Sequence, residues 1–218
     1  YAGDIKLPGM LHGAILRSPY AHARIVSIDT SAALSLPGVK AVLTGREAPD
    51  TPWGGGHAKE RYILAKDIVR FAGEEVAAVA AITDDIARNA LDLIRVEYEE
   101  LPPLLTADAA LAPDAPTVHP DRNNNVAHEI KFDRGDVETA FASADLVYEA
   151  TYSTPPQYPG YLEPMVSVAS VEADDRLHVW TSTQTVFLAR SRIAKALEMP
   201  ISSVRVIQQT TGGGFGGK

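Results

Sequence analysis

The sequence predicts an α+β fold, in which a few helices pack on short strands. Residues 75–98 carry the clearest pattern, because an apolar run is followed by helical spacing of apolar residues and then by a second strand-like run. Short runs rich in β-branched residues lie on both sides of this unit. A proline-rich stretch, residues 111–125, divides these runs into two blocks, so the chain is expected to contain two units joined by a linker.

The first block is expected to open with short strands and one short helix. Residues 29–31 offer capping side chains for a helix that Pro37 and Gly38 end. The glycines at residues 54–56 are interpreted as an excursion between strands rather than a ligand-binding loop. Strands are predicted at residues 11–17, 23–28 and 39–43.

The strand–helix–strand unit of residues 75–98 closes the first block. In the strand predicted at residues 75–82 every residue after Glu75 is apolar, which is typical of a strand covered on both faces. Thr83 offers the cap of the following helix, and residues 95–98 return to strand character. A helix packed on a sheet is therefore predicted here.

The second block is expected to contain several strands and one longer helix. The helix is predicted at residues 186–197 and ends before Pro200. The last predicted strand leads into the glycine-rich residues 212–218. Strands are predicted at residues 126–132, 146–151, 165–171, 177–181 and 204–207.

Composition excludes several classes of function. The 218 residues are 45% hydrophobic and 22% charged, which is ordinary for a globular protein. The chain has no cysteine, so disulfides, thiolate zinc sites and cysteine-ligated iron–sulfur clusters are excluded within it. A net charge of −8 argues against nucleic-acid binding. No stretch of about 18 apolar residues occurs, so no membrane span is predicted.

The two ends of the sequence suggest a piece of a longer protein. The chain begins with Tyr1 and ends in the glycine run at residues 212–218. Such a loop is useful when another element follows it, so further sequence is expected after Lys218.

The glycine run alone allows three interpretations. Gly212, Gly217 and Lys218 fit part of a phosphate-binding P-loop, whose required Ser or Thr would be residue 219. Gly212, Gly214 and Gly217 also fit the dinucleotide pattern G-x-G-x-x-G. Both nucleotide folds usually place the loop after their first strand, whereas several predicted strands precede it here. A simple flexible turn is the third interpretation.

Six motifs together resemble those of the aldehyde oxidase/xanthine dehydrogenase family of molybdenum enzymes. Their order and spacing agree over nearly the whole chain, and the similarity extends to the large subunits of bacterial 4-hydroxybenzoyl-CoA reductase and xanthine dehydrogenase. Residues 9–23, 36–42 and 73–79 resemble the a/b hammerhead domain, and residues 162–164, 181–184 and 212–218 resemble the start of the molybdopterin-binding domain.

This resemblance implies a hammerhead domain at residues 1–112, a linker at 113–134 and a truncated molybdopterin-binding domain at 135–218. It implies a cytoplasmic oxidoreductase with a molybdenum–molybdopterin cofactor, acting on an aldehyde, an N-heterocycle or an aromatic acyl-CoA. Iron–sulfur clusters and FAD would lie on partner subunits or domains, since this chain has no cysteine ligands. An inert scaffold fragment remains the alternative from another class of function.

The resemblance also implies the cofactor contacts. Gln184 would donate from its amide to a molybdenum oxygen ligand, although capping of the following helix is an open alternative. Phe215 would lie near the substrate channel or anchor the loop in the core. The family's catalytic glutamate lies beyond residue 218, so Glu163 is interpreted as structural, and neither a catalytic residue nor a direct metal ligand is expected. The predicted cofactor-binding residues are Gln184, Gly213, Gly214, Phe215 and Gly216.

Overall fold

A computed structural model describes residues 1–53, 61–119 and 122–218, and it confirms the mixed α+β prediction. The predicted glycine excursion at residues 54–56 lies outside the described residues. Three sheets of three strands each carry the described part of the chain. The strands are β1 (His12–Arg17), β2 (Ala23–Asp29), β3 (Val39–Thr44), β4 (Ile68–Val69), β5 (Glu75–Ala81), β6 (Arg95–Glu100), β7 (Ser167–Val171), β8 (Leu177–Thr181) and β9 (Val204–Gln208). The helices are α1 (Ser31–Ser35), α2 (Asp84–Leu91), α3 (Ala107–Leu111), α4 (Val137–Ala142) and α5 (Val186–Ala196).

The first sheet is built around β5, which lies between β1 and β3 and runs antiparallel to both. Ala77, Val79 and Ala81 are buried on one face of β5, where α1 and α2 cover the sheet. Val76 is buried on the other face, in a second cluster of core residues. The Thr83 hydroxyl accepts a hydrogen bond from the Ile86 amide and caps α2. The predicted strand covered on both faces and the predicted helix on the sheet are confirmed.

The second sheet has the order β4, β2 and β6, with antiparallel pairs. Its buried residues include Ala23, Ile25 and Val69. Ile28 and Val96 contact both core clusters of the first block. The two sheets therefore share one continuous apolar interior, which makes the described strands and helices between His12 and Glu100 a single packed unit.

The third sheet contains the only parallel strand pair found among the described residues. β8 lies between β7, which is antiparallel to it, and β9, which is parallel. A parallel neighbour requires a crossover, and α5 supplies it by packing Ala194 against Leu177, Val179 and Val204. The predictions at residues 177–181, 186–197 and 204–207 are confirmed, and the strand predicted at 165–171 begins at Ser167.

Two strand predictions in the second block are wrong. Residues 126–132 and 146–151 adopt irregular backbone without ladder partners in the described chain. Their apolar side chains lie in solvent, since Ile130 is 81% exposed and Leu146 is 84% exposed. A strand is stable only beside a neighbour that pairs with its amides, and the described chain offers no such neighbour here.

Two short helices were not predicted by periodicity. α3 and α4 are too short to show a repeated apolar stripe, but each begins at a capping side chain. The Thr106 hydroxyl accepts from the Ala109 amide at 3.2 Å, and the Asp136 carboxylate accepts from the Thr139 amide at 3.0 Å. Among the described helices, none is long and apolar enough to cross a membrane.

The two blocks touch at several points. A 3-10 turn at Ala2–Asp4 packs on β7, which leaves Ala2 fully buried. The Thr51 hydroxyl donates to the Glu198 carboxylate at the end of α5. A cleft of about 370 Å³ is lined by residues of both blocks, which include Tyr62 and Phe71 from the first and Leu197 from the second. These contacts fix the third sheet against the first block.

The packing of Gly45 provides a test of the first block. A Cβ atom on Gly45 would lie 2.4 Å from the Ala65 carbonyl oxygen, and backbone cannot move aside easily. Gly45→Ala is expected to lower the free energy of unfolding by about 1–3 kcal/mol, the usual cost of overpacking. Gly13→Ala is the matched control, because its Cβ would find no atom closer than 4.0 Å. Urea denaturation of both variants would check this, and equal midpoints would contradict the packing described here.

Candidate functional site

The parallel pair of β8 and β9 brings two loops to one edge of the third sheet. Thr181 at the end of β8 lies opposite Gln208 at the end of β9, and the Gln209 amide donates to the Thr181 carbonyl at 3.0 Å. Residues 182–184 and the glycine loop, residues 212–218, therefore leave the sheet side by side. Ligands of sheets with parallel strands commonly bind at such carboxyl ends.

Gln184 holds the glycine loop through its side-chain carbonyl. Its Oε1 accepts from the Gly216 amide at 2.9 Å and from the Lys218 amide at 3.3 Å. Its own backbone amide donates to the Lys218 carbonyl at 3.2 Å. The alternative role of Gln184 as the cap of α5 is wrong, because Thr185 occupies that position and no side chain caps the helix. The NH₂ group of Gln184 is the end of the amide that remains to donate.

Three glycines of the loop lie too close to their neighbours to carry a side chain. A Cβ atom on Gly214 would lie 2.6 Å from Gln184 Oε1. A Cβ atom on Gly212 would lie 2.7 Å from Glu163 Cβ, and one on Gly217 would lie 2.7 Å from Tyr161 Cε1. The glycine content of the loop thus follows from close backbone approach rather than from a need for flexibility.

The middle of the loop has left-handed backbone. Gly213 and Gly216 have φ values of +89° and +87°, which glycine adopts without cost. Phe215 has a φ of +49°, a conformation that is unfavourable for a bulky side chain. Phe215 is 73% exposed, so the interpretation of Phe215 as a core anchor is wrong.

Glu163 binds the glycine loop as well. Its Oε2 accepts from the Gly212 amide at 2.7 Å and from Lys218 Nζ at 2.6 Å. The Lys218 ammonium and the Gly212 amide both stabilise the carboxylate and hold the pKa of Glu163 below its ordinary value, although burial acts in the opposite direction. A carboxylate in this environment is a poor base, which agrees with its predicted structural role.

Two family models match the chain in succession. "Aldehyde oxidase and xanthine dehydrogenase, a/b hammerhead domain" matches residues 1–102, and "Molybdopterin cofactor-binding domain" matches residues 118–218. The chain belongs to the aldehyde oxidase and xanthine dehydrogenase family. Its hammerhead domain contains the first two sheets, and the third sheet with the glycine loop lies within the match to the cofactor-binding domain.

Curated relatives in this family match the whole chain. It is 42% identical to the nicotinate dehydrogenase large molybdopterin subunit of Eubacterium barkeri and 36% identical to the xanthine dehydrogenase molybdenum-binding subunit of Escherichia coli O157:H7. It spans 51% and 30% of their respective lengths. The chain is therefore a part of a longer family member.

A solved structure of this family has the same fold. Quinoline 2-oxidoreductase from Pseudomonas putida 86 matches with a TM-score of 0.89 and 36% sequence identity. The match covers 99% of this chain and 28% of that protein. The hammerhead fold and the start of the molybdopterin-binding fold predicted from the six motifs are thereby confirmed.

The site residues predicted from the family resemblance all lie in one place. Gln184 contacts Gly216 directly, and Gly214 packs on the Gln184 side chain. Sequence reasoning missed Tyr161 and the partnership of Lys218 with Glu163. The motif at residues 162–164 was part of the family resemblance. Only the folded chain shows that its carboxylate, that of Glu163, contacts the glycine loop.

Within the described residues, the backbone amides of Gly213, Gly214 and Phe215 donate no hydrogen bond. The Gln184 NH₂ group is likewise without an acceptor there. Four neutral donors beside a backbone cradle suit a ligand rich in oxygen acceptors. No group of His, Asp or Glu residues in the described chain is arranged to hold a metal ion. The residues present thus fit an oxygen-rich group that brings its own metal, rather than a bare cation.

The Glu163 carboxylate is expected to make stability depend on acid pH. Its folded-state pKa is lowered, so its stabilising contribution is present above the unfolded pKa of about 4.3 and is lost as the pH falls through the folded value. The difference in unfolding free energy between the wild type and Glu163→Gln is therefore expected to be largest near neutral pH and to shrink below about pH 4.

Urea denaturation from pH 3 to pH 7 would measure this difference. Glu99→Gln is the control, because Glu99 pairs with Arg24 on the surface and both side chains are more than half exposed. A Glu163→Gln difference that does not change with pH would contradict an ionised Glu163 in the fold.

Proposed function

We propose that this chain is part of the large, molybdenum-cofactor-binding subunit of an oxidoreductase of the xanthine dehydrogenase/aldehyde oxidase type. The observation that carries the proposal is the convergence of Gln184 and the glycine loop at the carboxyl ends of β8 and β9. Their free donors supply the contacts that an oxygen-rich cofactor needs, and the matching family model carries the same assignment.

In this proposal the loop binds the cofactor through its backbone. The amides of Gly213, Gly214 and Phe215 donate to oxygen ligands or to the pterin, and the Gln184 NH₂ group adds one side-chain donor. A bound molybdenum–molybdopterin group would supply transfer of oxygen to carbon coupled to two-electron chemistry. The chain's own residues orient that group. Among the described residues Glu163 is the side-chain carboxylate that contacts the loop, and Lys218 holds it ionised, so it provides no acid or base.

The domain division belongs to the same proposal. Residues 1–112 form the hammerhead domain, residues 113–134 form the linker, and residues 135–218 begin the molybdopterin-binding domain. Support comes from the shared interior of the first two sheets. It also comes from the backbone at residues 112–119 and 122–136, which forms no helix or strand between α3 and α4. The first block then serves as the support on which the cofactor-binding sheet is fixed.

The complete enzyme requires electron carriers that this chain does not hold. With no cysteine in its 218 residues, the chain lacks the ligands of iron–sulfur clusters. Iron–sulfur and FAD subunits or domains are therefore proposed as partners, and the resemblance to bacterial enzymes supports a cytoplasmic location. Quinoline, nicotinate and xanthine in the names of the relatives favour an N-heterocycle as the substrate over an aldehyde or an acyl-CoA.

The P-loop interpretation is less well supported by the geometry. Its lysine would have to reach a phosphate, but the Lys218 side chain is fully buried and bound to Glu163. The glycine loop also follows the last strand of its sheet rather than the first. The inert-scaffold alternative leaves unexplained why four donors in one loop region have no acceptor in the described chain.

Element and cofactor analysis of the complete enzyme tests the proposal. The full-length subunit, purified with its partners, is expected to contain molybdenum, pterin, iron and flavin, and to oxidise an N-heterocycle such as nicotinate, xanthine or quinoline. Mass spectrometry of metals and extraction of the pterin would measure the contents. Saturable ATP binding by an enzyme preparation that contains no molybdenum would overturn the assignment.

Substitutions of Gln184 separate cofactor contact from loop support. Gln184→Ala removes both functions, and loss of one preorganised donor is expected to reduce kcat by about 10²–10³. Gln184→Glu keeps an acceptor for the Gly216 and Lys218 amides but replaces the donor with a charged oxygen. It is expected to melt near the wild-type temperature and still lose kcat by a similar factor.

Turnover, molybdenum occupancy and melting temperature would be measured on the same preparations. If Gln184 only supports the loop, Gln184→Glu will retain normal kcat at full molybdenum loading. That result would remove Gln184 from the cofactor contacts and leave the backbone of the glycine loop as the candidate.

A further inference from the structure

We infer that Glu163 and Lys218 form a clasp that closes the glycine loop and fixes the direction of its free amides. This inference rests on the proposed function for the identity of the ligand, but the clasp itself follows from the contacts. Both residues are positioning residues, since they act through the loop backbone.

One oxygen atom joins the two ends of the loop. Glu163 Oε2 accepts from the amide of Gly212, the first residue of the loop, and from the ammonium of Lys218, the last. The intervening segment is therefore closed into a ring, which the Gly217 amide tightens by donating to the Gly214 carbonyl at 2.7 Å. Gln184 holds the loop from a second side through the Gly216 and Lys218 amides.

Burial makes this contact stronger than an ordinary surface ion pair. The Lys218 side chain is 0% exposed and the Glu163 side chain is 10% exposed. In contrast, the Arg24–Glu99 pair is more than half exposed on both sides. Removing one partner of a buried pair leaves an uncompensated charge, whereas replacing both with neutral groups does not. The clasp can therefore be dissected by single and double substitutions.

Tyr161 supports the same contact from the side. The Lys218 ammonium lies 4.8 Å from the centroid of the Tyr161 ring, within the range of a cation–π interaction. The Tyr161 ring also approaches the backbone of Gly217 so closely that a Cβ atom there would be 2.7 Å away. Tyr161 and Glu163 thus form one platform from the segment that precedes β7.

The clasp matters because glycine is the residue with the most conformational freedom. A loop of five glycines and one phenylalanine between residues 212 and 217 would sample many conformations if its ends were free. With both ends held, the amides of Gly213, Gly214 and Phe215 keep fixed directions before any ligand arrives. Preorganised donors of this kind bind and stabilise charge without reorganisation at the time of reaction.

The test compares Glu163→Gln, Lys218→Met and the double variant in the complete enzyme, with Glu99→Gln as the control. Three quantities would be measured, namely melting temperature, hydrogen exchange of a peptide containing residues 212–218, and molybdenum content per subunit. Glu163→Gln keeps an acceptor for the Gly212 amide, so it remains measurable if Lys218→Met does not fold.

Each single variant is expected to melt below the wild type and to exchange its loop amides at least about tenfold faster. The double variant is expected to melt above Lys218→Met, because no unpaired charge stays buried. The loop amides of the double variant are nevertheless expected to exchange as fast as those of the single variants. The molybdenum content of the double variant, like that of the single variants, is expected to be lower than in the wild type. The control is expected to match the wild type in all three measurements.

A merely structural pair would give a different pattern. Loop exchange and molybdenum content would then return to wild-type values in the double variant together with the melting temperature, and the inference would be overturned. Wild-type enzyme without molybdenum would instead overturn the proposed function, while the exchange and melting measurements would still decide whether the clasp exists.

Discussion

Close approach of bare backbone to three side chains is the constraint on which the candidate site depends. Three loop glycines lie so close to a neighbouring side chain that no room is left for a Cβ atom. The pairs are Gly212 with Glu163, Gly214 with Gln184, and Gly217 with Tyr161. Only this proximity lets single carboxylate and amide oxygens each accept two loop donors. The close approach in turn requires β8 and β9 to be parallel neighbours, since their carboxyl ends deliver Gln184 and the loop to the same edge.

Burial and charge have opposite effects on Glu163 at this site. Burial alone would raise the pKa of Glu163 and suggest an acid or base, but the buried ammonium of Lys218 outweighs it and keeps the carboxylate ionised. The charges of the pair neutralise each other, so the loop groups that remain without a partner are neutral amides. A loop that ends in lysine thus presents hydrogen-bond donors without presenting a net positive charge, which distinguishes it from a phosphate-binding loop.

The sequence patterns predicted the parts of the fold whose signals are local. Strands such as β5 and β8 and the helices α2 and α5 carry their own periodicity, and α2 also begins at its own capping side chain. Residues 126–132 and 146–151 show that a strand-like pattern does not suffice, because pairing needs a neighbour that the pattern does not contain. At the site, the family resemblance pointed to Gln184 and the loop. It could not reveal that Glu163 meets Lys218, because the two are 55 positions apart and nothing local links them.

The packing of the first residues against the third sheet affects the order in which parts of the chain fold. Ala2 is buried on β7, and Thr51 meets Glu198, so contacts that join the two blocks span most of the sequence. Contacts between residues so far apart in sequence have a large entropic cost of loop closure, which must be overcome before the contacts stabilise the fold. Such contacts therefore slow folding. During synthesis on the ribosome the hammerhead core is able to form early. Its first turn becomes ordered only after β7 has been made, and the glycine loop only after Lys218, so both are expected to become ordered later than the hammerhead core.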